Sequence, residues 1–239
     1  MKIALIGIGK MGKAIKEIAL AGGDEIVLEI SSSNKEDFTI DNIKQADVAI
    51  EFTNSGSAVE NIIKCFNAGV PLVSGTTGWL DKWDEVVYYC NERNGTFLYA
   101  SNFSIGVNLF FELNKYLASL MANHPAYNVS IEEIHHTQKK DAPSGTAITI
   151  AEQIMQKIPA KKEWVNNETE DKQQLQIISR RIGDVPGTHK VLYHSFADDI
   201  EIIHTAHNRS GFASGALQAA KFVIGKKGIF EMKDVLGFD

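Results

Sequence analysis

Cysteine is nearly absent from this sequence: Cys65 and Cys90 stand alone, with no CxxC and no zinc-ligand spacing. A disulfide framework and a structural metal site are therefore not supported, and the expectation is two reduced, half-buried thiols. Long apolar runs are lacking too. The longest, such as Ile3 to Ile6 and Val70 to Val73, fall far short of the ~20 residues that span a bilayer. Nor is there an excess of positive charge. Lys+Arg 24 against Asp+Glu 30 give a net charge of −6, which argues against a nucleic-acid-binding surface while leaving room for a local basic pocket for a small anion. Met1-Lys2 runs directly into a strand-like segment with no apolar leader, so the expectation is a cytoplasmic protein without a membrane or nucleic-acid partner. Repeats and low-complexity tracts are missing as well. What remains is 239 residues, 44% hydrophobic and 23% charged, an ordinary globular composition for one large or two small domains.

The first hundred residues alternate short apolar strands with amphipathic helices, the pattern of a parallel sheet covered on both faces. Strands are expected at Ile3 to Ile6, Ile26 to Ile30, Val48 to Phe52, Leu72-Val73 and Phe97 to Ala100. The helices between them carry Met11, Ala14, Ile15 and Ile18, then Val59, Ile62, Ile63 and Phe66, then Leu80, Trp83, Val87 and Cys90 at helical spacing. From about residue 105 the pattern changes. A helix with Phe110, Leu113, Leu117 and Leu120 precedes segments of two-residue alternation at Val129 to His135, Leu175 to Arg181, Thr188 to Phe196 and Ile200 to His207, with a hairpin turn at Asp198-Asp199. One helix, Thr146 to Lys157, interrupts them, so a mixed or antiparallel sheet is expected. The polar stretch Lys161 to Gln174 reads as a loop or linker with solvated charges. After Arg209 a last helix carries Phe212, Ala216, Leu217, Ala220 and Ile224 and could join either part. The fold class is α/β: a Rossmann-type parallel domain plus a second α+β domain.

Gly7-Ile8-Gly9-Lys10-Met11-Gly12 follows a buried strand and opens a helix, the context that gives GxGxxG its meaning. The first glycine permits a tight turn, the second lets backbone N–H groups approach a pyrophosphate, and the third lets helix and sheet pack closely. The helix start adds partial positive charge. Glu29, about twenty residues on, ends the second strand where a carboxylate can accept hydrogen bonds from an adenosine ribose. Ser74-Gly75-Thr76-Thr77-Gly78 lies on the same sheet edge, as a second binding loop or as a structural turn.

The stretch from Glu132 to Thr146 is the most unusual in the chain. His135 and His136 end a strand, Lys139 and Lys140 follow, and Pro143-Ser144-Gly145-Thr146 starts a helix. Backbone N–H groups of Gly145 and Thr146 suit a carboxylate or phosphate, a lysine can serve as anion partner or proton donor, and a histidine is the natural acid near neutral pH. The plainer alternative is a set of solvated polar residues. A metal site is not expected, because neighbouring strand residues point to opposite faces and there is no HExxH. His204 and His207 read as sheet surface.

With these motifs the sequence resembles the dihydrodipicolinate reductase family over nearly its whole length. The resemblance rests on the glycine loop, Ser74 to Gly78, Ser101-Asn102-Phe103-Ser104-Ile105-Gly106, the His-His…Lys-x-Asp-Ala-Pro-Ser-Gly-Thr signature, and Arg181 to His189. It implies reduction of 4-hydroxy-tetrahydrodipicolinate, with loss of water, to tetrahydrodipicolinate. It places NADH or NADPH on Gly7, Ile8, Gly9, Lys10, Met11, Gly12, Glu29, Gly75, Thr76, Thr77, Ala100, Ser101, Asn102 and Phe103. It puts His135 and Lys139 in proton-donor roles, with His136, Gly145 and Thr146 on the dicarboxylate substrate. Ile30 stands where many relatives carry an arginine for the 2′-phosphate, so NADH is expected to serve at least as well as NADPH. The family fold also implies a cofactor domain of residues 1–104 plus 209–239, a substrate domain of 105–208 whose sheet builds a homotetramer, and closure of one on the other. Rival readings are another nicotinamide-dependent dehydrogenase of a small carboxylate and a non-catalytic dinucleotide sensor.

Overall fold

The computed structural model describes residues 1–238. The chain divides into two compact units, Met1–Ile105 together with the segment from Arg209 onward, and Gly106–Asn208.

In the first unit the elements run β1 (Lys2–Ile6), α1 (Lys10–Ala21), β2 (Glu25–Ile30), α2 (Ile40–Ile43), β3 (Val48–Glu51), α3 (Ser55–Ala68), β4 (Leu72–Ser74), α4 (Trp83–Glu92) and β5 (Thr96–Tyr99). The five strands pair in parallel. Alternation sends Ala4, Ile6, Ala49, Leu72 and Phe97 to one face, beneath α3 and α4. Ile3, Leu5, Val48, Ile50, Val73 and Leu98 go to the other. Both sets are fully buried, which is why these strands read as unbroken apolar runs.

The second unit carries α5 (Ile105–Met121), β6 (Asn128–His135), α6 (Gly145–Lys157), β7 (Glu163–Val165), β8 (Gln174–Arg181), β9 (Gly187–His194) and β10 (Asp199–Ala206). Its mixed sheet has the order β10-β9-β6-β8-β7. Val129, Ile131, Leu175, Ile177, Val191 and Tyr193 pack on one face with Phe110 and Ala118 of α5 and with Ala147, Ile150 and Ile154 of α6. The other face is two-residue alternation seen from its polar side. There Ser130, Glu132, Gln176, Ile178, Arg180, Lys190 and Leu192 line a shallow groove of about 220 Å³.

The chain then returns to the first unit with α7 (Ser210–Val223), β11 (Gly228–Phe230) and α8 (Met232–Leu236). β11 extends the parallel sheet beside β5, giving the order β11-β5-β4-β3-β1-β2. α7 packs Ala213, Ala216, Leu217, Ala220 and Val223 onto the face that α1 covers.

Several expectations need correction. Cys65 and Cys90 are fully buried, not half-buried, and burial pushes both thiols up. The segment Lys161 to Gln174 is mostly loop with its charges exposed, as expected, but it departs from that reading at two points. It contains β7, and Lys161 is buried, donating to Asn128 Oδ1 at 2.9 Å and to the Gln174 carbonyl at 2.8 Å. The hairpin turns earlier than Asp198-Asp199. Strand β9 stops at His194, and Ser195 closes the turn by donating its backbone N–H to the Asp198 carbonyl at 3.0 Å.

Candidate functional site

The glycine loop lies where the strand order reverses, between β1 and β3, at the carboxyl ends of the strands. Gly7 has φ +99°, and a Cβ there would run into the Phe52 carbonyl. A Cβ on Gly12 would strike the Gly7 carbonyl, so the start of α1 presses directly on the loop. Gly9 is different: nothing lies within 4 Å of its missing Cβ. It caps α1 without any side-chain hydrogen bond, leaving the helix start available to an anion. A cleft of about 720 Å³ opens beside it, lined by Gly7, Ile8 and Gly9, by Ser31, Ser32 and Lys35, and by Phe52, Thr53, Asn61 and Lys64 among others.

Beneath this edge sits Glu51, a fully buried carboxylate at the end of β3. It accepts from Ser74 Oγ at 2.6 Å, from Thr76 Oγ1 at 2.9 Å and from the Thr53 backbone N–H at 3.1 Å, and also from the Thr53 hydroxyl. These bonds tie the Ser74 to Gly78 loop to β3, with the Thr76 side chain turned inward and Thr77 exposed. Gly75 is glycine because a Cβ would collide with the Phe52 ring. Ala100, Ser101 and Asn102 continue the same edge from β5. Phe103 is buried, its ring centroid 5.6 Å from that of Phe52.

Glu29 stands near the end of β2, as expected. Its carboxylate pairs with Lys16 of α1, while Ser31, Ser32 and Lys35 line the cleft. Ile30 is buried and packs in the core with Phe38. Ile30 also lines the cleft, beside Ser31 and Ser32.

In the second unit the outward Cβ alternation of β6 puts Glu133 and His135 on the same inward face and His136 off it. Glu133 is completely buried. Its Oε2 lies against His135 Nδ1, and its Oε1 accepts from Arg181 Nη2 at 2.9 Å and from the Ser144 backbone N–H at 3.3 Å. Burial works against ionisation, but hydrogen bonds from His135, Ser179 and Arg181 outweigh it and hold Glu133 at about 2. His189 sits directly opposite Glu133 on β9. Its Nε2 is 3.2 Å from Ser144 Oγ. Burial, reinforced by the charge of His135, pushes His189 down to about 3, so it is neutral at physiological pH. One ligand atom each from Glu133, His135 and His189 lies within 4.8 Å of the others, a cluster that sequence spacing alone did not assemble.

Ser144 caps α6, its Oγ accepting from the Ala147 N–H at 3.2 Å. Gly145 and Thr146 therefore head the helix, and nothing lies within 4 Å of the Gly145 Cβ position. Lys139 leaves its Nζ 2.7 and 2.8 Å from the two Asp141 oxygens. His136 is half-buried at the start of that loop, its carbonyl accepting from the Lys139 N–H at 3.1 Å. Gly187, φ +159°, would bring a Cβ to 3.0 Å from His135 Nε2, so glycine is what keeps that ring nitrogen open. The structure thus gathers a histidine, a lysine and a helix start at one end of the sheet. It adds three residues for which no role was read from sequence, Glu133, Arg181 and His189.

Comparison with known proteins gives a consistent result. Residues 1–103 match the model for the N-terminal part of dihydrodipicolinate reductase and residues 106–236 the model for its C-terminal part. A curated 4-hydroxy-tetrahydrodipicolinate reductase from Christiangramia forsetii is 48% identical over 99% of this chain and 98% of its own. One from Methanoculleus marisnigri is 37% identical over 99% of both. Among solved structures, dipicolinate-bound dihydrodipicolinate reductase from Paenisporosarcina sp. TG-14 superposes with a TM-score of 0.76 at 24% identity over 97% of each chain, a likeness of fold. On its full-length match to both family models and to these relatives, the chain belongs to the dihydrodipicolinate reductase family and is an NAD(P)H-dependent oxidoreductase.

Proposed function

We propose that this chain reduces 4-hydroxy-tetrahydrodipicolinate to tetrahydrodipicolinate, with loss of water, in the diaminopimelate route to lysine. The observation that carries the reading is the end of β6, where His135, the Lys139 loop and the head of α6 come together in a chain that matches these reductases from end to end.

The first unit suits a nicotinamide dinucleotide: a helix start with no side-chain cap, an open Gly9 and a cleft of about 720 Å³ beside them. When bound, the dinucleotide supplies the hydride. Gly7, Ile8, Gly9, Lys10, Met11 and Gly12 would receive the pyrophosphate, and the edge formed by Gly75 to Thr77 and Ala100 to Phe103, braced by Glu51, would border the nicotinamide end. In the second unit the N–H groups of Gly145 and Thr146, with Lys139 and His136, would hold the two substrate carboxylates. His135, or Lys139 once drawn from Asp141, would give the proton that the reduced ring needs. The coupled assay is decisive. The upstream synthase makes the unstable substrate from pyruvate and aspartate semialdehyde, and enzyme-dependent loss of nicotinamide absorbance is expected. Binding of the dinucleotide without turnover would leave a sensor instead.

For the cofactor, NADH serves at least as well as NADPH in this reading, but by a small margin. Lys16 neutralises Glu29, which removes most of the repulsion toward a 2′-phosphate, and Lys35 and Lys64 share the cleft with Ser31 and Ser32. A kcat/KM ratio within about tenfold, 1.4 kcal/mol, is expected. Lys35→Ala should cost NADPH more than NADH.

The polar face of the second sheet supports a homo-oligomer, a homotetramer in the family reading. It carries Ile178 and Leu192 among its charges, and Ile203 of β10, opposite Lys190, is exposed on the same face.

A further inference from the structure

Glu133 is the one carboxylate in the second unit with no exposed surface among the described residues that form ion pairs. We propose that Glu133 is the positioning residue of the proton transfer, holding the Nδ1 proton of His135 on Oε2 so that Nε2 is the ring atom that delivers the proton. The proposal rests on the reading of His135 as proton donor.

Three observations carry it. His135 presents two nitrogens, of which Nδ1 is buried in ion-pair contact with Glu133 Oε2, and neither of these two buried atoms has a hydrogen-bond partner elsewhere among the described residues. Nε2 lies over Gly187, where any side chain would crowd it at 3.0 Å. Glu133 cannot turn away, because its second oxygen is held by Arg181 Nη2 and the Ser144 N–H. A buried carboxylate fixed on one imidazole nitrogen selects the tautomer and holds the ring in place. Its other charged and titratable neighbours are His189 from β9, 5.1 Å away ring to ring, Arg181 across from it on β8, and Lys139 in the loop that follows. Of these, Glu133 alone offers a carboxylate to the ring.

The step balances simply. The N–H bond at Nε2 breaks and its proton forms a C–H bond at the ring carbon left electron-rich by hydride addition. The imidazolium becomes neutral imidazole still carrying its Nδ1 proton on Glu133. The same carboxylate bonds the first residue of the α6 cap, so proton donor and carboxylate-binding helix share one anchor.

Glu133→Gln tests this, since glutamine keeps an acceptor for Arg181 and the Ser144 N–H while losing the charge that faces His135. The expected result is kcat lower by about 10–100-fold, with dissociation constants for NADH and dipicolinate within about threefold of wild type. An unmoved kcat, or a loss confined to dipicolinate affinity, would overturn the proposal. His135→Ala run in parallel separates the two readings. If it keeps kcat, the donor assignment fails and this proposal with it. If it loses kcat while Glu133→Gln does not, this proposal alone fails. Wild-type protein labelled with ¹⁵N-histidine gives a check that needs no folded Glu133 variant. The His135 resonances, identified by their loss in His135→Ala, should show Nδ1 protonated and Nε2 bare in the neutral ring. The opposite tautomer would also overturn it.

Discussion

At the scale of single residues, the second unit's chemistry is a contest between burial and charge. His135→Ala and Lys139→Ala should each lower kcat by about 10²–10⁴-fold, the range for losing a general acid, while NADH affinity by fluorescence titration stays near wild type. Normal kcat in both would mean that water supplies the proton. His189 makes a separate forecast about stability. Its folded value, about 3, lies below the ordinary 6.5. Between those values the unfolded chain binds a proton that the native chain refuses, so stability falls as pH falls, by at most about 1.4 kcal/mol per pH unit. Glu133, lowered from 4.5 to about 2, adds its own loss only below 4.5. Urea midpoints at pH 7 and pH 5 should therefore drop more in wild type than in His189→Asn, and equal drops would count against a neutral buried His189. None of this could be read from spacing. Glu133 reads as one of two adjacent surface acids until Arg181, 48 residues later in sequence, and the facing strand β9 are brought against it. Lys161 misled for the same reason, its partners Asn128 and Gln174 lying on different strands.

Elements were far more legible than partners, because periodicity is a local property. Strands covered on both faces had to be mainly apolar, and β1, β3, β4 and β5 are, their polar residues Lys2, Glu51, Ser74 and Thr96 standing at strand ends. The second sheet had to alternate, and β6, β8 and β9 do. Short pieces such as β7 and β11, three residues each, are set by pairing with a neighbour and leave no period to detect. The GxGxxG loop shows how one motif divides its labour. In Gly12→Ala the new methyl meets a backbone carbonyl that cannot yield, and overpacking of about 1–3 kcal/mol is expected, visible as a lower Tm. Gly9→Ala has open space around the new methyl and a φ of −79° that alanine adopts freely. It should keep its Tm yet weaken NADH binding. A Gly9→Ala protein with unchanged NADH affinity would show that the dinucleotide does not approach this loop closely.

For the molecule as a whole, the outer face of the second sheet, with Ile178 and Leu192 half-buried and Ile203 exposed among its polar residues, makes association the expectation. Light scattering should give a mass that is a multiple of the chain's, and Leu192→Asp together with Ile178→Asp should shift it toward the single chain, while a monomeric wild type would refute the oligomer. The interrupted first unit has a different consequence, one of timing. Synthesis runs from the amino end, and domains complete themselves as their last pieces emerge. Here the inserted unit, finished by Asn208, is whole before α7 and β11 exist. Until they leave the ribosome, Val48, Ile50, Val73 and Leu98 lack the α7 layer that buries them, and β5 presents an unpaired edge to solvent. The nucleotide-binding half, although encoded first, must therefore be the last to close, and for the length of a hundred-odd residues of translation it is the half that a chaperone would hold.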